Sequence, residues 1–177
     1  MRINNIKEKI KEYFFINPTS KLRVRQIERE LKLPLPSVIR YCKELEKEGI
    51  LKKEVISGIS VYSADKSSKN YLIEKKLFNI KQLYTSGLID YLINEYSNSV
   101  IILFGSYSRG EDIEKSDIDL YVETAKRQEF NLQRFENKLN RKLQVFNYRN
   151  IKEIPNLHLA NNIINGIVLN NFLEVFK

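Results

Sequence analysis

Leu103-Phe104-Gly105-Ser106-Tyr107-Ser108-Arg109-Gly110-Glu111-Asp112-Ile113-Glu114-Lys115-Ser116-Asp117-Ile118-Asp119-Leu120-Tyr121 decides the reading of the C-terminal half of this chain. An apolar run over residues 100–104 reaches Gly105-Ser106 and stops, and Asp117-Ile118-Asp119 follows inside a second apolar run. A strand places residues i and i+2 on one face. A strand over residues 118–122 therefore predicts that Asp117 and Asp119 point the same way, with Ile118 and Leu120 turned to the other side. Two adjacent carboxylates resist ionising together, and a hard divalent cation relieves them. The pair suits Mg²⁺ carrying a nucleoside triphosphate. The Gly-Ser end fits the same chemistry, because glycine admits a phosphate close to the backbone and a following helix start offers free N–H groups.

Outside this stretch, composition bounds the answer. The 177 residues are 42% hydrophobic and 29% charged, values of a globular chain of one domain or two small ones. No apolar run approaches the roughly 18–20 residues that span a membrane, and the first twelve residues lack a signal-peptide centre. Cys42 is the only cysteine and His158 the only histidine, which excludes an internal disulfide and argues against zinc sites and His-based triads. A cytoplasmic protein with no membrane partner is expected. Cys42 reads as a small core residue and His158 as a surface residue. The net charge of +8 is concentrated early: residues 1–66 hold 15 Lys and Arg against 9 Asp and Glu. Such a domain suits a nucleic-acid partner or a plain lysine-rich surface.

Helical spacing of Ile3, Ile6, Ile10, Phe14 and Phe15 predicts a helix over residues 3–16. A second helix is expected over 24–31, a turn with two prolines over 32–36, and a third helix from about Ser37 to Glu48, stopped by Gly49. Its inward residues read as Val38, Ile39, Cys42 and Leu45, and its outer face as Ser37, Arg40, Tyr41, Glu44 and Lys47. Two β runs, 50–56 and 59–64, flank Ser57-Gly58 as in a hairpin. Three helices followed by a hairpin resemble a winged helix-turn-helix domain. That resemblance implies that the third helix enters a DNA groove, with Arg40, Tyr41, Lys43 and Lys47 on it and Lys52 and Lys53 at the wing base as candidate contacts. The same module also serves protein docking.

The expected division is a winged helix-turn-helix domain over 1–66, a helical connector over 67–97 and a small mixed-sheet domain over 98–177. The connector reads as two helices, 71–84 and 86–96, broken near Thr85-Ser86-Gly87. Beyond it, strands at 100–104, 118–123 and 143–148 alternate with helices at 106–110, 130–139 and 156–165, in βαβαβα order. Phe130, Arg134, Phe135 and Leu139 set the period of the middle helix. Ile163, Ile164, Ile167 and Leu169 read as core or interface residues. The fold class is thus two-domain, α+β or α/β.

Gly105-Ser106, ten residues, then Asp117-Ile118-Asp119 resembles the signature of the DNA polymerase beta-like nucleotidyltransferases, and most closely their minimal prokaryotic members. The resemblance implies that Asp117 and Asp119 hold Mg²⁺ and that Gly105, Ser106 and Arg109 bind the nucleotide, ATP by default. Tyr107 could stack on the base or line the domain. Many members carry a third acidic residue on the next strand. Here that position is Gln144, and a neutral amide cannot take the acceptor's proton. Glu123 lies four residues beyond Asp119, roughly 13 Å along a strand, too far to replace it.

The resemblance implies a transferase that moves a nucleoside monophosphate to an acceptor hydroxyl. Minimal members are often antitoxins that modify a partner toxin with a HEPN ribonuclease domain, so a HEPN-type toxin is an implied partner. The competing reading is a DNA-binding transcription regulator whose second domain only senses a nucleotide. An RNA- or antibiotic-modifying transferase is a third.

Overall fold

The computed structural model describes residues 3–96, 99–125 and 131–175. The chain divides into two compact units, Met1–Phe78 and Asn79–Lys177. In the first, α1 (Ile3–Ile16), β1 (Lys21–Leu22), α2 (Val24–Leu31) and α3 (Leu35–Lys47) precede β2 (Leu51–Ile56) and β3 (Ile59–Ala64). The hairpin β2–β3 pairs in full register from Leu51↔Ala64 to Ile56↔Ile59, and β1 adds to its other side in the order β1-β3-β2. Ser57 and Gly58 both take positive φ at the turn, as the right-handed twist of a two-residue hairpin requires. β1, at two residues, carries no period that a sequence could reveal.

Helix α3 starts two residues earlier than its composition suggests. Pro34 is its N-cap and Pro36 falls in its first turn, where the missing N–H has no helical acceptor to lose. At its far end Ile50 N–H donates to Leu45 O (2.8 Å) and Gly49 N–H to Glu46 O (3.1 Å), the paired bonds of a Schellman stop. Its inner face corrects one expectation. Val38, Tyr41, Cys42 and Leu45 are buried, whereas Ile39 is exposed. Positions 38, 41, 42 and 45 form one stripe at helical spacing, and residue 39 lies off it despite being apolar. These side chains pack with Ile10, Phe14, Phe15, Ile27, Tyr62 and Tyr71. Burial, with Glu46 adding to it, pushes the Cys42 thiol up to about 12, so Cys42 is a packed thiol, not a reactive one.

Helix α4 (Lys69–Ser86) runs through the expected connector and is followed, after Gly87, by α5 (Leu88–Glu95). The boundary between the two units falls inside α4 and not at residue 66. Tyr71, Leu72 and Phe78 belong to the first core, and Ile80 and Leu83 to the second. The described residues of the expected connector therefore divide between the two cores.

The second unit continues with β4 (Ile101–Phe104), α6 (Gly105–Arg109), β5 (Ile118–Glu123), α7 (Gln133–Leu139), β6 (Leu143–Tyr148), a 3₁₀ turn at Ile151–Glu153, α8 (Leu157–Ile164) and β7 (Ile167–Asn170). Phe130, expected in the helix of α7, lies outside the described residues. The four strands order β6-β5-β4-β7, with β5–β6 parallel and the other two pairs antiparallel. This mixed sheet has both faces covered. Ile101, Leu103, Leu120 and Val122 pack with Leu88, Ile89, Leu92 and Phe135, while Ile102, Phe104 and Tyr121 pack with Ile151, Ile154 and Ile163. Two-sided burial explains why β4 is apolar at every position.

Strand β7 is an addition to the expected βαβαβα order. Its run after Gly166 is too short to show a period, and it is defined by pairing: Ile102↔Val168 and Leu103↔Ile167. The approach is close. A Cβ on Gly166 would lie 2.6 Å from Leu103 O and from Ile102 Cγ2. Ile163 is buried and Ile167 and Leu169 are half-buried, but Ile164 is exposed. No helix among the described residues is long and apolar enough to cross a membrane.

Candidate active site

Strand β4 delivers the chain to Gly105, which turns it at φ +72° into the five-residue helix α6. The glycine is needed for more than the turn. A Cβ there would overlap the Asp119 carboxylate and lie 3.1 Å from its Cγ and 3.4 Å from its Cβ. The bare Cα of Gly105 is thus one wall of the Asp119 site. Ser108 Oγ donates to Gly105 O (2.8 Å) and Glu111 N–H to Ser106 O (3.0 Å), which fixes the loop. α6 is too short to develop a full macrodipole, so any phosphate contact at Ser106 rests on local N–H and hydroxyl groups.

Asn79 is a positioning residue that sequence reading passed over. Its buried amide donates to Tyr107 O (2.9 Å) and to Asp112 Oδ1 (2.8 Å), tying α4 to the end of α6 and to the loop after it. A lone Asn inside a helical run gives no sign of this partnership, because the partners lie 28 and 33 residues away. Tyr107 itself is buried in the core beneath α6, which removes it from base stacking. Burial, then Asp112, push its hydroxyl well above the usual tyrosine range, with Arg141 opposing.

Asp117 is exposed just before β5, and Asp119 is half-buried as the second residue of the strand. Asp119 sits opposite Phe104 and beside Gln144 in the parallel register. Burial, then the neighbouring Asp117 charge, raise the Asp119 carboxyl above its ordinary value, with Arg109 opposing. Arg109 is exposed and ion-paired to Glu111 (2.7 Å), so its charge is shared. Among the described residues no group of three or more His, Cys, Asp or Glu side chains could hold a metal ion. Two carboxylates that repel, one of them open to solvent, still fit Mg²⁺, which commonly takes one or two carboxylates and completes its shell with phosphate oxygens and water. Gln144 is exposed and in register with Asp119, so its side chain leaves the sheet on the same face. Glu123 accepts a hydrogen bond from the Tyr121 hydroxyl (3.0 Å) farther along β5.

The candidate contacts of the first unit separate. Lys43 and Lys47 are exposed on α3. Arg40 is exposed but pairs with Glu44 (3.5 Å), donates to the Tyr41 hydroxyl and lies over its ring. Tyr41 is only 4% exposed, contrary to its expected place on the outer face. Lys52 and Lys53 leave β2 on opposite faces, because strand side chains alternate. Lys52 is also bound to Glu54 (2.8 Å), which Lys21 shares (2.8 Å). Lys21 and Lys52 hold the Glu54 carboxyl down at about 2.

No curated protein and no solved structure matches the chain. One family model does: residues 87–171 match the family described as "Polymerase beta, Nucleotidyltransferase", which supports a likeness of this stretch to the polymerase beta-like nucleotidyltransferases and a nucleotidyltransferase activity in general terms.

Proposed function

We propose that the protein is a Mg²⁺-dependent nucleotidyltransferase that moves AMP from ATP to an acceptor hydroxyl. The observation that carries this reading is the fit between Gly105 and Asp119, where the missing Cβ of the turn after β4 leaves the space that the Asp119 side chain occupies. In this reading Ser106, by its hydroxyl and N–H, holds the β- and γ-phosphates, and Gly105 lets them approach. Asp117 and Asp119 would hold the cation. When bound, it neutralises charge on the phosphates as the α-phosphorus is attacked. Arg109, beside Asp119, adds positive charge at the phosphates. The products are a nucleotidylated acceptor and pyrophosphate.

The first unit is proposed as a winged helix-turn-helix. Its α1-β1-α2-α3-β2-β3 order and β1-β3-β2 sheet support this. Lys43 and Lys47 are its best-presented candidates for DNA phosphate, since both are exposed on α3. A HEPN-type toxin remains the proposed protein acceptor, on the resemblance to minimal nucleotidyltransferases. The test is label transfer from α-labelled ATP with Mg²⁺ to the product of the neighbouring gene. Asp117→Asn should abolish transfer, and equal labelling by that variant would sink the chemistry.

Gln144 beside Asp119 favours a second reading, in which the site binds nucleotide without turnover and the first unit regulates transcription. Nucleotide binding without pyrophosphate release, together with salt-sensitive binding to the protein's own promoter, would select it.

A further inference from the structure

The stretch from Ile154 to Leu173 holds no Asp, Glu, Lys or Arg, in a chain that is 29% charged. Burial does not account for this. Leu157 is 75% exposed and Phe172 66%, and Ile164, Val168 and most asparagines of the stretch are exposed as well.

The fold gathers these side chains on one side of the second unit. Helix α8 packs Leu159, Ala160 and Ile163 onto the sheet face that holds Ile102, Phe104 and Tyr121. Leu157, Asn161 and Ile164, at helical spacing, then share a stripe on one flank of the helix. β6 and β7 run parallel, with β5 and β4 between them, and α8 is the crossover that joins them. A right-handed crossover, the hand such connections take, turns the Leu157 and Ile164 flank toward β7. The β5–α7–β6 crossover moves the opposite way along the sheet and covers the other face, as the same hand requires. Val168 stands opposite Ile102, so it leaves β7 on the α8 face. Leu173 packs on the same cluster, which brings its neighbour Phe172 to this side.

An exposed apolar patch with a polar rim marks a contact surface. Nucleic-acid phosphate and anionic lipid are held by Lys and Arg, and this stretch has neither. Depletion of charge is instead the composition of the centre of a protein–protein contact. The patch is also complementary to itself. A two-fold contact sets the same surface against its copy, so charges there would meet their like. Here apolar side chains meet apolar side chains, and an asparagine amide, donor and acceptor at once, can pair with a second amide. The whole chain carries +8, so two copies repel, and a charge-free face is where they can touch.

We propose that this face, with Leu157, Ile164, Val168 and Phe172 at its centre, is a homodimer interface that takes the same face of a second copy of this chain about a two-fold axis. The proposal makes no use of the transferase reading, so a failure of the nucleotide chemistry would leave it standing.

Sedimentation equilibrium of the full chain tests it. The wild type should be dimeric at about 100 μM, and the dimer should tighten as salt is raised, because salt screens the repulsion between two positive copies. Leu157→Glu with Phe172→Glu sets like charges into the contact and should raise the dimer Kd by about a hundred-fold or more, with circular dichroism unchanged because both positions are exposed. Ile39→Glu with Val55→Glu, at exposed apolar positions of the first unit, should leave the Kd within about two-fold. A dimer that ignores the Leu157 and Phe172 substitutions, that is lost equally in both double variants, or that loosens with salt as ion pairs do would overturn the proposal. A monomeric wild type overturns it too: flotation with phosphatidylcholine vesicles then assigns the face to a lipid surface, and no flotation assigns it to a different protein.

Discussion

Replacing Gly105 with alanine should damage this protein in two separable ways. The first is backbone strain: at φ +72° an L-residue costs about 1–2 kcal/mol. The second is overlap of the new methyl with the Asp119 carboxylate, whose Cγ would be 3.1 Å away. Overpacking of this kind costs about 1–3 kcal/mol more, because the carboxylate must move. Gly87→Ala supplies the control. Gly87 has φ +81° in the same unit and nothing within 4 Å of an added Cβ, so it should show the strain alone. Asp119→Ala removes the obstacle, so Gly105→Ala in that background should fall back to about 1–2 kcal/mol. Urea unfolding of the four members of the cycle, at constant m, measures the coupling, expected at about 1–3 kcal/mol. Gly105→Ala should also weaken Mg²⁺·ATP binding while Gly87→Ala leaves it unchanged. A coupling below about 0.5 kcal/mol, the scatter of independent sites, would refute the idea that Gly105 is shaped to Asp119.

Three further outcomes are expected. The Asp119 carboxyl is held above its ordinary value by burial and by Asp117, so the folded state keeps this proton more tightly than the unfolded chain does. Its ionised form therefore costs stability at neutral pH, and the cost disappears as pH falls below the ordinary aspartate range. Without divalent metal, Asp119→Asn should melt above the parent at pH 7 and level with it near pH ~3, below the ordinary aspartate value; a constant gap across that range would contradict the assignment. Tyr41→Ala should cost about 3–5 kcal/mol by emptying part of the first core, whereas Ile39→Ala, at an exposed position, should cost less than about 1 kcal/mol; chemical denaturation distinguishes them. If the first unit binds DNA, Lys43→Ala and Lys47→Ala should each lower the slope of log affinity against log salt by about 1, and Tyr41→Phe should leave that slope unchanged.

Periodicity carried most of the elements. The alternation of 118–123, the apolar run of 101–104 and the 3.6-residue spacing in α1 and α2 are local patterns, and backbone hydrogen bonding turns them into structure wherever burial is available. Spacing also made Gly105-Ser106 and Asp117-Ile118-Asp119 stand out, because each is a short motif at the end or start of its own apolar run. Side-chain sorting was less legible. On α3 the choice between Ile39 and Tyr41 went to the residue on the stripe and not to the more apolar one, since a tyrosine can bury its ring while its hydroxyl meets Arg40. β1 and β7 had no pattern to read, because strands of two and four residues exist only by pairing with β3 and β4.

The sequence by itself determined that two carboxylates stand two residues apart at the start of one strand and that a glycine follows the strand before them, because the apolar runs mark both strands and the lack of a Cβ marks the turn. Only the tertiary structure decided that the glycine faces the second carboxylate and that Asn79 steadies the loop, and it set Gln144, expected on the next strand, in register beside Asp119. These are contacts between residues 14 to 33 positions apart or on separately registered strands. No local rule fixes such distances, since they are set when the sheet closes and its faces are buried.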